Sequence, residues 1–247
     1  MPDHFPIVLC RVDIPPNMQA DVDAWMPKHF DDALAHPAVM AAANFAVRRD
    51  WDRLPSVFNN DATRFIPYAY ESVDGLVAAI DGPEARGAIE DGAEREAQYP
   101  LLDDEPFNGT TLEVVEVRGA CGAAFAGRGP ILAERFQVDE AHAEEFDRWL
   151  NGPYLDRAAS WPGLVRVRTF SAAAGLPQRW PHARYQGKGN RMIWAEFEEA
   201  ADLDGILGSR SLGESLSDSV QWDVRLPYVR RDAADCLLVR TKADLES

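Results

Sequence analysis

The 247-residue chain contains only three cysteines, Cys10, Cys121 and Cys236. An odd, scattered set is neither a disulfide framework nor a zinc-ligand pattern, and it suits a reducing compartment. No uninterrupted apolar run reaches the about 18 residues that a membrane span requires. The N-terminal Met1-Pro-Asp-His-Phe-Pro lacks the basic-then-apolar layout of a secretory leader. The expectation is therefore a soluble, cytoplasmic protein. Positive charge is scarce, with 25 Lys and Arg against 41 Asp and Glu and a net charge of −16. Affinity for nucleic acid comes from cations that neutralise phosphates, so a nucleic-acid partner is excluded, and an anionic membrane surface is disfavoured on the same ground. A local arginine cluster holding one small anion stays compatible with this balance. The glycine-rich stretch 119–129 has neither a following Lys-Ser/Thr nor dinucleotide-binding spacing, and it reads as a small-residue linker.

What is present is an ordinary globular composition, 46% apolar and 27% charged, with an internal repeat written into it. Asp23, Trp25 and Met26 recur 124 positions later as Asp147, Trp149 and Leu150. Phe30, Asp32 and Pro37 answer to Leu155, Arg157 and Pro162, one residue further along. Arg64 and Ile66 answer to Arg191 and Ile193, Tyr70-Glu71 to Phe197-Glu198, Leu76 to Leu203 and Pro100 to Pro227, all at a spacing of 127. Several collinear matches mark a true duplication. The reading divides the chain into a first half at 1–120, a linker at 121–130 and a second half at 131–247.

Each half reads strand–helix–strand–strand–helix–strand. In the first, residues 6–14 form a strand ended by Pro15-Pro16. Met18, Val22, Trp25, Met26, Phe30, Ala33 and Leu34 then fall at helical spacing. Pro27 and Gly152-Pro153 predict a kink or interruption in this helix and its counterpart. Strands follow near 42–49 and 63–71. Asp81-Gly82-Pro83-Glu84 predicts a helix start running towards Gln98, and 110–118 closes the half. Loops at 51–60 and 176–189, the second rich in Arg, Trp, His and Tyr, read either as lids over a cavity or as packed surface segments.

This duplicated plan is ferredoxin-like, and it resembles the dimeric α/β-barrel superfamily. The carrying segment is 145–168, with Phe146, Trp149, Tyr154 and Pro162-Gly163 before a strand bearing Arg166 and Arg168; it is similar to the helix-to-strand stretch of EthD-like members. Trp25, His29 and Pro37 are its looser first-half copy, with His29 eight residues before Pro37 as Tyr154 is before Pro162. The resemblance implies an α+β fold of tandem ferredoxin-like βαββαβ halves forming a pseudo-dimeric barrel of antiparallel sheets. It spans isomerases, polyketide cyclases, cofactor-free oxygenases and haem-handling enzymes. Tandem members also resemble cis–trans isomerases acting on ring-fission products of methoxylated aromatic acids.

Alternation in the first strand of each half puts Val8, Val12 and Ile14, like Leu132, Phe136 and Val138, on a face that helices cover. Arg11 and Arg135 fall on the other face, where a charge is costly unless it is paired or holds an anion. His29 is the candidate acid/base. Tyr154 and His182 are candidates to stabilise an oxyanion. Arg11, Arg135, Arg168, Arg184 and Tyr185 are candidates to bind a carboxylated substrate. Cys10 reads as an inert residue of the apolar face, or as a thiolate nucleophile. His29, Asp32 and His36 on one helix are too few to argue for a metal. The expectation assembled from these residues is a cofactor-independent isomerase or cyclase acting through an enolate on a small anionic molecule. Its alternatives are a cofactor-free monooxygenase on an aromatic or polyketide substrate and a non-catalytic binding protein. The partner is a small molecule, and a homodimer stands beside a monomer as the assembly state.

Overall fold

A computed structural model describes residues 4–50, 52–59, 62–82, 87, 90, 91, 94, 109–174, 176 and 189–245. Eight strands dominate it: β1 (Ile7–Val12), β2 (Val39–Val47), β3 (Arg64–Tyr70), β4 (Gly109–Gly119), β5 (Ile131–Gln137), β6 (Leu164–Ala172), β7 (Arg191–Phe197) and β8 (Tyr228–Thr241). They close an antiparallel barrel in the order β1-β3-β2-β8-β5-β7-β6-β4. Each half contributes four strands, and the seams β2–β8 and β4–β6 join one half to the other. Closure removes every free sheet edge. The fold is the expected α+β, pseudo-dimeric barrel of ferredoxin-like halves.

The register shows why the strand faces alternate as they do. Ile7 and Leu9 of β1, Phe45 of β2, Phe65 of β3, Ile131 and Ala133 of β5, Phe170 of β6 and Trp194 of β7 pack in one cluster that contains no helical residue. That cluster is the barrel interior. The opposite faces meet helices. Val12 and Ile14 pack with Val22, Met26 and Phe30 of α1 (Gln19–Leu34), while Val8 packs with Leu34 of the same helix. Leu132, Phe136 and Val138 pack with Phe146 of α3 (Glu140–Trp149). Burying a side chain such as Phe30 contributes roughly 1.5–3 kcal/mol, so α1 is held by its apolar stripe rather than by its caps.

Two local expectations are revised. Pro27 lies inside a continuous α1, whereas its counterpart breaks: after Trp149 comes a π-turn (Leu150–Tyr154) with Gly152 at φ −114°, ψ −105°, then α4 (Leu155–Ala158). A helix that composition did not signal, α2 (Val73–Asp81), ends where a helix start was expected. Ser72 starts it, its hydroxyl accepting from the Gly75 amide at 3.0 Å. Positions 87, 90, 91 and 94 of the expected helix are helical. The second half completes its outer layer with α5 (Leu203–Leu207) and α6 (Arg210–Ser219), and α7 (Lys242–Leu245) follows β8. No helix among the described residues is long and apolar enough to cross a membrane.

The stretch after β4 closes one mouth of the barrel. Ala124 and Phe125 enter the interior cluster, and the Arg166 guanidinium donates to the carbonyls of Ala123 (2.5 Å) and Ala124 (3.0 Å). Gly129 is required there because a Cβ would stand 1.8 Å from the Phe197 carbonyl oxygen.

Candidate functional site

Duplication supplies the same two braces to each half. Asp23 of α1 receives the Arg64 guanidinium at 2.9 Å, and Asp147 of α3 receives Arg191 at 2.6 Å. The indole of Trp25 donates to Asp91 at 2.8 Å, and that of Trp149 to Asp218 at 2.9 Å. Asp91 and Asp218 are themselves 127 apart. Both tryptophans are half-buried braces between helices.

Between these braces the halves differ. In the first, His29 is buried on the sheet-facing side of α1. Its Nε2 lies 2.7 Å from the Tyr68 hydroxyl on β3, and its ring stacks on Trp25 with centroids 4.2 Å apart. The other ring nitrogen, Nδ1, has no hydrogen-bond partner among the described residues and stands 3.9 Å from Asp91 Oδ2. Burial pulls the imidazole pKa down to about 4, with Asp91 and Asp32 opposing only in part, so His29 is neutral at physiological pH. Cys10 packs partly against the same layer.

In the second half the matching volume is filled by a satisfied polar network. The buried Tyr154 hydroxyl donates a short hydrogen bond to Glu134, which stands 124 positions after Cys10. Glu134 also accepts from Ser219 (2.7 Å) and from Arg231 Nε (2.7 Å), and Arg231 reaches Asp223 at 2.6 Å. Burial and the adjacent Glu134 carboxylate hold the Tyr154 phenol well above its usual pKa. Leu54 and Phe58 pack into this half's core, and Asn59 accepts from the Arg231 amide, so the loop through 52–59 is a packed segment. Tyr154 is therefore committed to Glu134.

The arginines belong to a third place. Arg11 and Arg135 turn into the barrel and both donate to the Tyr228 hydroxyl, at 3.1 and 3.0 Å; Arg135 also pairs with Asp232 at 3.1 Å. Arg168 is fully buried in the interior near Glu196. These arginines and His29 do not share one hollow. The sheet lies between them, because a residue of a helix packed outside a barrel cannot reach through its wall. His182, Arg184 and Tyr185 lie outside the described residues. Sequence reasoning missed Tyr68, Asp91 and Glu134; the 127-residue spacing from Asp91 to Asp218 was the available signal for Asp91.

No family model and no curated protein sequence matches the chain. Solved structures do. A monooxygenase candidate from Fusobacterium nucleatum superposes with a TM-score of 0.62 at 9% identity, over 98% of this chain and 96% of that one. An anthrone oxidase-like protein gives 0.62 at 13% identity, over 97% and 94%. A monooxygenase candidate from Lactobacillus acidophilus gives 0.54 at 13% identity, over 97% and 97%. None of these three is described as an isomerase, and the isomerase or cyclase expectation is corrected accordingly. At such identities the likeness is one of fold, and this chain is a ferredoxin-like α/β barrel of the kind those proteins share.

Proposed function

We propose that the chain is a cofactor-independent monooxygenase acting on a small aromatic or polyketide-type molecule, with His29 and Tyr68 of the first half handling the proton. One observation carries the reading: a buried, neutral His29 whose Nδ1 has no hydrogen-bond partner among the described residues, at the position where the other half is locked by an ion network. The descriptions of the similar structures, monooxygenase candidates and an anthrone oxidase-like protein, support the reaction class.

The chemistry balances without an outside reductant. His29 removes a proton from an acidified C–H or O–H of the substrate. The resulting carbanion passes one electron to dioxygen, and the radical pair joins as a carbon-bound hydroperoxide. Loss of water from that hydroperoxide leaves a ketone, so that one methylene group and one dioxygen become one carbonyl group and one water. Tyr68, hydrogen-bonded to Nε2, fixes the ring and can return a proton to the departing hydroxide. The aromatic face of Trp25 and the apolar side chains of Met26, Phe30 and Ile66 provide a weakly polar wall, which favours an uncharged aromatic substrate over a hydrated one.

An oxygen electrode with a panel of anthrone-type and phenolic substrates tests this. Uptake of one dioxygen per product, with label from oxygen-18 gas in the new carbonyl, is the expected result. His29→Ala should lower kcat/KM at least ~100-fold, the usual reach of general acid–base catalysis. Oxygen uptake that is unchanged in His29→Ala removes the histidine from the reaction, and no uptake across the panel refutes the oxygenase reading.

A further inference from the structure

The barrel interior holds a second polar place that the proposed reaction does not use. Arg168 on β6 is completely buried, and its Nε and Nη1 have no hydrogen-bond partner among the described residues. Its cross-strand neighbour in the β6–β7 register is Trp194, also completely buried, whose indole N–H likewise has no partner among the described residues. Each of these orphan groups is a donor. The acidic neighbour, Glu196, is engaged elsewhere: it takes Arg166 Nε at 2.6 Å and the Ala126 amide at 3.1 Å, leaving Arg168 Nη2 with contacts of 3.4 and 3.5 Å. Among the described residues Arg166 and Arg168 thus set two cations against one carboxylate, and this buried trio carries a net positive charge. Burial draws the Arg168 pKa down to about 10 while Glu196 opposes it, which still leaves the guanidinium protonated near neutrality. An interior charge of this kind is costly unless an opposite charge joins it.

We infer that Arg168 and Trp194 form a binding site for one small monovalent anion inside the barrel, either a halide or the carboxylate of a short organic acid. The two donors stand on paired residues of adjacent strands and both face the barrel interior, with the Phe170 ring 5.2 Å from the Arg168 guanidinium. The site is separate from His29, which faces the outer layer, so it bears on the stability of the barrel and not on the proton chemistry.

The test compares thermal unfolding of the intact chain in chloride, bromide, formate, acetate and benzoate, each replacing gluconate at constant ionic strength. A bound anion raises Tm saturably, and at 100 times its Kd it raises the apparent folding equilibrium constant about 100-fold. A halide and formate response that falls away by benzoate identifies an inorganic or one-carbon occupant, while a response growing with the acid identifies an organic carboxylate. Arg168→Met should abolish the dependence. Trp194→Phe keeps the core filled and should weaken the anion several-fold, and it serves if Arg168→Met does not fold. Bromide should also quench the Trp194 part of the emission in wild type and not in Trp194→Phe. Equal Tm in every anion, or an anion dependence untouched by Trp194→Phe and Arg168→Met alike, overturns the site.

Discussion

Replacing His29 by Gln removes one titration and leaves a side chain that can still hydrogen-bond Tyr68. The shift from the usual 6.5 to about 4 corresponds to about 3 kcal/mol of differential interaction between the two protonation states. Its cause is desolvation, with Asp91 and Asp32 returning only part of the loss. Below pH 6.5 the unfolded chain takes up a proton at this position and the folded chain does not until about pH 4. The unfolded state holds more protons in that window, so stability falls as the solution is acidified. The contribution is fully present above pH 6.5 and gone below about 4. Urea unfolding at half-unit steps from pH 7.5 to 4 should therefore show wild type losing about 3 kcal/mol more than His29→Gln over the window. In parallel, the imidazole proton resonance that disappears in the variant should titrate with a midpoint near 4. A midpoint near 6.5, or two stability curves of equal slope, would show that His29 is solvated and would remove the basis for its role as a neutral base.

Two further perturbations probe the frame around that site. Arg231→Met leaves Glu134 buried without its cation and should cost about 3–5 kcal/mol, or roughly 6–20 °C in Tm for a chain of this size; adding Glu134→Gln should restore much of the loss, and additive losses in calorimetry would mean the pair is not coupled. Gly129→Ala puts a Cβ into the Phe197 backbone and should destabilise by about 3 kcal/mol, whereas an unchanged unfolding midpoint would show that the stretch closing the barrel mouth can move aside.

Much of the architecture was legible because the repeat and the strand alternation carry it. The two residues flagged as an Asp-x-Trp signature turned out to be the two braces of each half, Asp23 to Arg64 and Trp25 to Asp91, with Asp147 to Arg191 and Trp149 to Asp218 as their copies. Alternation in β1 and β5 also identified the face of Arg11 and Arg135. What did not show was which side of the sheet each candidate would share with another. A strand's alternation assigns faces within one element, and the helix stripe containing His29 says only that the residue looks toward some sheet. The partners come from elsewhere: Tyr68 is 39 residues away and Glu134 lies 97 residues from Arg231. Helix α2 was hidden for a different reason. Its start depends on one Ser72 hydroxyl, and the Asp-Gly-Pro-Glu pattern at 81–84 offered a stronger local signal.

The two halves amount to a comparison made within one molecule. The braces are kept, and three positions between them are not: Cys10 faces Glu134 across the repeat, His29 faces Tyr154, and Tyr68 faces Ala195. In the second half the exchange ends with the Tyr154 hydroxyl, Glu134 and Arg231 bonded to one another and to Ser219 and Asp223. The fold thus has an available way to fill this layer with no hydrogen-bonding capacity wasted on the residue at the histidine's position. The first half does not take it. Leaving a buried imidazole nitrogen without a partner costs about 1–3 kcal/mol, of which the ring stack on Trp25 offsets only a part, about 0.5–1.5 kcal/mol. An apolar side chain at position 29 would give up only the Tyr68 hydrogen bond and the ring stack on Trp25 while removing the unsatisfied nitrogen. The retained, unsatisfied nitrogen is what the proposed base requires, and under that proposal the second half, locked by its own network, has no equivalent among the described residues.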